Sequence, residues 1–128
     1  MTEHFYSSLI NYTRLVNEVL DTIHEGFFVL NYQGEILKTN KSFQEFIGIG
    51  EEKTFGTNFK DTLASFPLVA LDMLKNAIEH KITQENDFFW DEKNKWFRFS
   101  IYPFEEGLIG IFSDITEKKI QEEKIRKS

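Results

Sequence analysis

Apolar and polar positions recur along the chain with two different periods, and the first segment has the helical one. In residues 8–24, apolar side chains lie three or four positions apart, which places them on one face of an α-helix. Gly26 ends this segment. Two short β-rich runs follow it, residues 26–31 and 35–40, and the turn between them contains Gly34, so they predict a β-hairpin.

The middle of the chain is predicted to be helical. Asn40 suits the N-cap of a short helix, and Gly48 suits its end. Residues 49–64 are rich in turn residues and predict one or two helical turns. Helical spacing returns over residues 67–81, where Pro67 fits the first turn because its missing N–H costs nothing there. The inward side chains of this helix are predicted to be Leu71, Leu74 and Ile78.

The last third is strand-like until its final segment. Residues 83–90, 96–104 and 108–113 predict three strands separated by polar turns, and residues 114–128 predict a charged helix. Because the internal helices fall between the second and third strands, we expect an α+β fold with its helices on one sheet face. The predicted divisions are 1–25 for an N-terminal amphipathic helix, 26–116 for the core, and 117–128 for the start of a connector helix.

Composition narrows the function classes. The 128 residues suffice for one domain, and a net charge of −6 lacks the basic footprint that nucleic-acid binding needs. No apolar run is long enough to cross a membrane, and the N-terminus lacks a secretory pattern, so we expect a cytoplasmic protein without direct membrane insertion. The absence of cysteine excludes disulfides, thiolate metal sites and cofactors attached through sulfur.

Four segments together resemble a PAS domain, a sensory module typical of bacterial sensor histidine kinases, two-component systems and diguanylate cyclases. The segments are Gly26-Phe-Phe-Val-Leu-Asn31 with Gly34, Thr39-Asn40, Trp96-Phe-Arg-Phe-Ser-Ile-Tyr-Pro103 with Gly107, and Gly110-Ile-Phe-Ser-Asp-Ile-Thr116. The resemblance covers about residues 12–125. It implies a five-stranded antiparallel sheet in the order 2-1-5-4-3, a pocket under the helices, dimerisation, and a signal passed to an attached output domain.

The resemblance also implies which side chains line the pocket. They are Phe28, Leu30, Ile36, Phe43, Phe46, Asn58, Phe59, Leu71, Leu74, Ile78, Phe97, Phe99, Ile101, Leu108, Gly110 and Phe112. Such a lining suits a small apolar ligand, with Asn58 as its polar anchor. Alternatively, the fourteen phenylalanines fill the space themselves, and the module is a ligand-free interaction or dimerisation spacer.

The sequence lacks the residues with which PAS domains bind their known cofactors. Phe59 stands where flavin photoreceptors of the family keep their reactive cysteine, and Phe112 stands where they keep a glutamine. A coumaryl chromophore also needs a cysteine. The helix of residues 67–81 would have to supply a haem ligand, but His80 points away from its inward stripe. We therefore expect no cofactor and no metal.

The opposite face of the sheet is unexpectedly apolar, since the free face of an antiparallel sheet is normally polar. We expect the N-terminal helix to lie on this face and to help form a homodimer. The residues predicted for this packing are Leu9, Tyr12, Val16, Leu20, Ile23, Phe27, Val29, Trp96, Tyr102, Ile109 and Ile111.

The family resemblance assigns signal relay to Asp114 and Thr116, where the last strand becomes a helix. Either side chain is expected to cap the first helical turn, and Asp114 is expected to pair with Arg98 on the neighbouring strand. Catalysis is not expected, because the chain lacks paired histidines, a phosphate-binding glycine loop and a His-Glu-x-x-His motif.

Overall fold

The computed structural model describes residues 2–127 of the chain. In chain order the elements are α1 (Thr2–Thr22), β1 (Gly26–Asn31), β2 (Ile36–Thr39), α2 (Lys41–Ile47), α3 (Glu51–Thr54), α4 (Phe59–Thr62), α5 (Leu68–His80), β3 (Gln84–Trp90), β4 (Lys95–Phe104), β5 (Gly107–Asp114) and α6 (Thr116–Lys127). Within this part of the chain, none of the helices combines the length and the apolar character needed to cross a membrane.

The five strands form one antiparallel sheet in the order β2-β1-β5-β4-β3. This confirms the predicted strand order. The central strand β5 pairs with β1 and β4, so Gly110 lies opposite Phe28 on one side and Ile101 on the other. The helices between β2 and β3 cover one face, with α2 against β1, α3 against β2, and α5 against β3, β4 and β5.

Asn40 does more than cap α2, which is the role predicted for it. Its side-chain Oδ1 accepts from the N–H of Phe43 at 3.0 Å, as an N-cap should, and also from the N–H of Phe27 at 2.9 Å. Its Nδ2 donates to the carbonyls of Leu20 and Glu25, each at 2.9 Å. The side chain is fully buried, so it ties the end of α1, the start of β1 and the start of α2 together.

Helix α5 presents a different face to the sheet from the one predicted. Leu74 is buried as expected, but Leu71 and Ile78 are only partly buried. Their places against the sheet are taken by Ala70, Met73 and Ala77. Small alanines let the helix axis approach a sheet whose inner face already carries large rings, and this requirement outweighs the volume of the leucine and isoleucine side chains.

Helix α1 does not lie on the apolar outer face of its own sheet. It packs near α2, where the carboxylate of Asp21 accepts from the N–H of Lys41 at 3.0 Å. Tyr12, Val16 and Val19 are exposed in the single chain, as is Leu15 at 57%. The side chain of Leu9 lies outside those that the structure describes, as do the terminal residues 1 and 128.

Candidate functional site

The structure brings most of the predicted pocket residues together as one closed cluster of rings. Phe28 is fully buried, and its ring centroid lies 4.9 Å from that of Phe43, 6.0 Å from Phe99 and 6.2 Å from Phe112. Phe99 and Phe112 stack with centroids 4.0 Å apart and ring planes 7° apart. The other predicted members of this cluster are Leu30, Ile36, Phe59, Leu74, Phe97, Ile101 and Leu108.

Gly110 creates the space for the central ring. A β-carbon at this position would lie 2.4 Å from Cζ of Phe28, closer than any real contact. The absence of a side chain on β5 therefore lets the Phe28 ring cross the sheet surface and reach its neighbours. Gly110, one of the predicted pocket residues, thus contributes to the ring cluster because it has no side chain.

Two of the predicted pocket residues have other surroundings. Asn58 caps α4 through its Oδ1, which accepts from the N–H of Lys60 at 3.0 Å, and its Nδ2 donates to the carbonyl of Gln33 at 3.3 Å. Its amide is thus engaged at the turn before β2 and does not face the rings. Phe46 is only partly buried and packs at the edge of the cluster, with its centroid 5.1 Å from that of Phe97.

Sequence reasoning missed several members of the cluster. They are Leu63, Phe66, Ala70, Met73, Ala77, Phe88 and Trp90. The alternation of Phe88 and Trp90 along β3 was a visible indication that both face inward. Phe66 lies between α4 and α5, where no periodic pattern could have placed it.

The junction between β5 and α6 is fastened to the start of β4. Thr116 Oγ1 accepts from the N–H of Trp96 at 2.9 Å, and the N–H of Ile115 donates to the carbonyl of Trp96 at 2.9 Å. Asp114 Oδ1 accepts from the N–H of Thr116 at 3.0 Å, so it contributes a capping bond to the first turn of α6. Both backbone polar groups of one β4 residue are therefore held by the residues that begin the helix.

Asp114 keeps its negative charge to lower pH than an ordinary aspartate. Partial burial acts to raise its pKa, but the contacts with Thr116 and the ammonium of Lys95 outweigh burial and lower the pKa. The Lys95 Nζ lies 3.6 Å from Oδ2 of Asp114, and both side chains are about half exposed.

The predicted pairing of Asp114 with Arg98 is wrong. In the register of β4 and β5, Arg98 lies opposite Ser113, whereas Asp114 lies opposite Phe97. Successive side chains of a strand point to opposite faces, so Asp114 and Arg98 leave the sheet on different sides. Arg98 instead binds Asp87 of β3 through two hydrogen bonds of 2.8 and 3.1 Å.

Arg98 and Asp87 form an ion network that reaches α6. The hydrogen bond from Arg98 is the largest effect on Asp87 and lowers its pKa, while the carboxylate raises the pKa of Arg98. Arg98 also lies 3.1 Å from Glu85. Lys119 Nζ lies 3.7 Å from Asp87 and 5.0 Å from the ring centroid of Trp96. The first turns of α6 are thus docked on the outer face of β3 and β4.

Among residues 2–127, the rest of the outer face carries apolar side chains that remain partly exposed. Phe27 and Val29 of β1 lie directly opposite Ile111 and Ile109 of β5, and all four are partly exposed. Tyr102 continues this row on β4 and is 43% exposed. The predicted outer-face residues therefore do share one surface, which α1 of the same chain leaves open.

The sequence model of the PAS domain matches residues 24–117, which include the whole sheet and its inserted helices. The chain belongs to the PAS domain family. The PAS domain of the histidine kinase ThkA has the same fold, with a TM-score of 0.60 and 21% identity over 70% of this chain and 99% of that one. PAS domains of this family are sensory modules of signal-transduction proteins, so the coarse role of the chain follows from its membership.

Two longer proteins contain related sequence. A "signal-transduction and transcriptional-control protein" of Clostridium beijerinckii is 26% identical over 115 residues, which are 85% of this chain and 18% of that protein. "Sporulation kinase C" of Bacillus subtilis (strain 168) is 26% identical over 119 residues, 85% of this chain and 28% of the kinase. The PAS chain thus spans less than a third of the length of either relative.

Proposed function

We propose that this PAS domain is a cytoplasmic regulatory module that dimerises and relays a conformational signal through Asp114, Ile115 and Thr116 to an output domain. The observation that carries the proposal is the attachment of Trp96 to the start of α6 by both of its backbone polar groups. A shift of β4 relative to β5 would have to move or break these bonds. The position of the following helix would change with them.

Side-chain contacts of α6 support the same relay. Lys119 bridges from the helix to Asp87 and to the ring of Trp96, on two different strands. Such exposed ion pairs are individually weak, so they suit a contact that forms and breaks. We expect the Arg98–Asp87–Lys119 network to set how firmly α6 is docked.

Dimerisation is supported by two apolar surfaces that one chain leaves uncovered. The stripe on α1 includes Tyr12, 67% exposed, and Val19, 54% exposed. The outer sheet face centred on Val29 and Ile109 is also apolar and could pack against that stripe. Exposed apolar surfaces of this kind on a soluble domain commonly mark a protein interface, and a second copy of the chain supplies both halves.

The output domain is proposed from the longer relatives. One of them is a kinase and the other a signal-transduction and transcriptional-control protein, each with most of its length outside the matching segment. We propose an output of the same general kind, such as a histidine kinase, attached through α6. The PAS module itself is proposed to be non-catalytic.

A ligand-free interaction spacer is the second candidate function. It is favoured by the stacking of Phe99 on Phe112 at 4.0 Å and by the complete burial of Phe28 between them and Phe43. Rings at these distances occupy the interior in which ligands of this fold would lie. The two candidates share the dimer and the relay and differ only in whether a small molecule acts on them.

The dimer is tested by sedimentation equilibrium of the purified chain and two variants. We expect the unaltered chain to be a dimer and Val19→Asp to dissociate toward the monomer, because the new charge would be desolvated in the interface. Leu68→Asp is the matched control, since Leu68 is 77% exposed on α5 and lies outside the proposed surface. A monomeric unaltered chain would refute dimerisation, and so would a Val19→Asp variant as dimeric as the control.

A further inference from the structure

A cavity of about 170 Å³ opens at the end of the sheet where β5 passes into α6. The buried part of its lining is aromatic, from Phe97 and Phe112, with the partly buried Phe46 beside them. Lys95 and Asp114 line it where it meets solvent. The cavity therefore lies between the closed ring cluster and the junction that holds α6.

The size and lining of this cavity suit a compact apolar group. A cavity of about 150 Å³ lined by aliphatic and aromatic residues is large enough for benzene. The phenylalanine walls favour a branched aliphatic or small aromatic body. The space is too small for a nucleotide or a flavin.

The charges at the opening restrict the ligand further. Lys95 Nζ lies 3.6 Å from Asp114 Oδ2, which is longer than a direct hydrogen bond, so the two groups form an ion pair without a hydrogen bond between them. An organic anion would be attracted to Lys95 but repelled by the carboxylate of Asp114. An organic cation would be attracted to Asp114 but repelled by Lys95. A zwitterion can bind both, with its carboxylate on Lys95 and its ammonium on Asp114.

Two further polar side chains line the same cavity. Ser42 Oγ donates to the carbonyl of Ile23 at 2.8 Å, which leaves its lone pairs available to an ammonium. The exposed His24 lines the same cavity. The lining thus combines these four polar side chains with the three phenylalanines.

We propose that this cavity binds a free α-amino acid with a compact apolar side chain, such as leucine or valine. The α-carboxylate binds Lys95, the α-ammonium binds Asp114, and the side chain packs on Phe97 and Phe112. Asp114 also accepts from the N–H of Thr116, so the ligand binds the carboxylate that caps α6. The regulatory consequence rests on the relay proposed above, whereas the binding itself does not.

Binding is tested by titrating the isotope-labelled full chain with L-leucine and following backbone amide resonances by NMR. We expect saturable shifts confined to residues around the cavity, including Gly26, Phe97 and Asp114. Isocaproate, which is leucine without its ammonium, and isoamylamine, which is leucine without its carboxylate, carry the same apolar body with only one of the two charges. Each is expected to bind at least about tenfold more weakly, because it leaves one member of the ion pair unmatched.

Variants separate this site from nonspecific binding. Lys95→Met and Asp114→Asn are each expected to weaken leucine binding at least about tenfold, and the asparagine retains an oxygen that can accept from Thr116. Lys118→Met, on the exposed surface of α6, is the matched control and is expected to bind leucine normally. Both altered cavity residues are about half exposed, so the fold is expected to persist.

The results bear on the ligand and on the proposed function separately. Absence of saturable shifts with L-leucine would overturn the inference, as would equal binding of isocaproate or isoamylamine, or undiminished binding by Lys95→Met. A chain that dimerises but fails these tests keeps the proposed dimeric module and loses this ligand. A chain that binds leucine selectively but sediments as a monomer keeps the site and loses the dimer.

Discussion

The inner and outer faces of the sheet are built from alternate residues of the same strands, yet their side chains have different partners. On β4, Phe97 and Phe99 face inward and pack against other rings of the same chain. Between them, Arg98 faces outward and binds charged groups of β3. One strand thus contributes to a closed apolar core and to an open ion network within three consecutive residues.

Under the proposed relay, this difference separates the residues that stabilise the fold from those that position α6. The apolar side chains of the inner face are almost completely buried, so removing one leaves a void that the chain cannot fill. Outer-face side chains hold α6 through contacts that water and other proteins can compete for. We therefore expect inner-face variants to unfold the domain, and outer-face variants to alter α6 while the fold persists.

The largest effect is expected from truncating the central ring. Phe28→Ala should lower the free energy of unfolding by about 3–5 kcal/mol, because Phe28 is fully buried and contacts three other rings. Phe55→Ala is the control, since Phe55 is 63% exposed, and it should change stability by no more than about 0.5 kcal/mol. Urea unfolding followed by circular dichroism measures both. Similar losses in the two variants would contradict the ring cluster as the main source of stability.

A smaller loss is expected from adding a single methyl group to the same face. Gly110→Ala should cost about 1–3 kcal/mol, since its β-carbon would collide with the Phe28 ring. Gly50→Ala is the matched control because nothing lies within 4 Å of its β-carbon position. Chemical unfolding of both variants is the measurement, and a Gly110→Ala variant as stable as the control would show that the ring moves aside at no cost.

Substitution at the junction between β5 and α6 is expected to lower the free energy of unfolding by a smaller amount. Thr116→Val keeps the shape of the side chain but removes the oxygen that accepts from the N–H of Trp96, so it should cost about 1 kcal/mol. Thr83→Val, at an exposed position just before β3, is the control and should be nearly neutral. If unfolding curves show the two variants to be equal, the hydrogen bond to Trp96 does not stabilise the junction.

The smallest expected effect is on the loss of folding stability at acid pH. Asp87 and Asp114 have folded-state pKa values below the ordinary value, so their ionised forms stabilise the fold. This contribution is fully present above the unfolded-state pKa of about 3.9 and is lost as the pH falls through the lower folded-state values. Stability measured against pH should therefore fall less steeply below about pH 4 in a double variant, Asp87→Asn with Asp114→Asn. An identical acid slope in the unaltered chain would exclude these two groups.

Particular residues show how far the sequence alone could lead. The strand order was predicted correctly from four short segments, and Asn40 and Gly48 mark the ends of α2 because capping is a local requirement. The buried face of α5 was predicted only in part, because Leu74 is buried whereas Leu71 is partly buried beside the buried Ala70, and the choice between these two depends on the rings opposite. That information lies in the tertiary packing and not in the helix itself.

The residues of the junction between β5 and α6 illustrate the same limit. Asp114 and Thr116 were found from the family pattern, but the partner of Arg98 depends on strand register and was missed. Asp87 and Lys119 become neighbours only when β3, β4 and α6 are assembled. A periodic pattern in one segment carries no information about such a contact.

The proposed relay is tested most directly by the helicity of α6 in two variants, one altered at the junction between β5 and α6 and one on the inner face of the sheet. The ¹³Cα chemical shifts of residues 116–127 report the helical population of this segment. We predict that Thr116→Val lowers this population, whereas Gly110→Ala leaves it unchanged under conditions in which both domains remain folded. Unchanged α6 shifts in Thr116→Val, or equal losses in the two variants, would contradict a junction that couples the sheet to the helix.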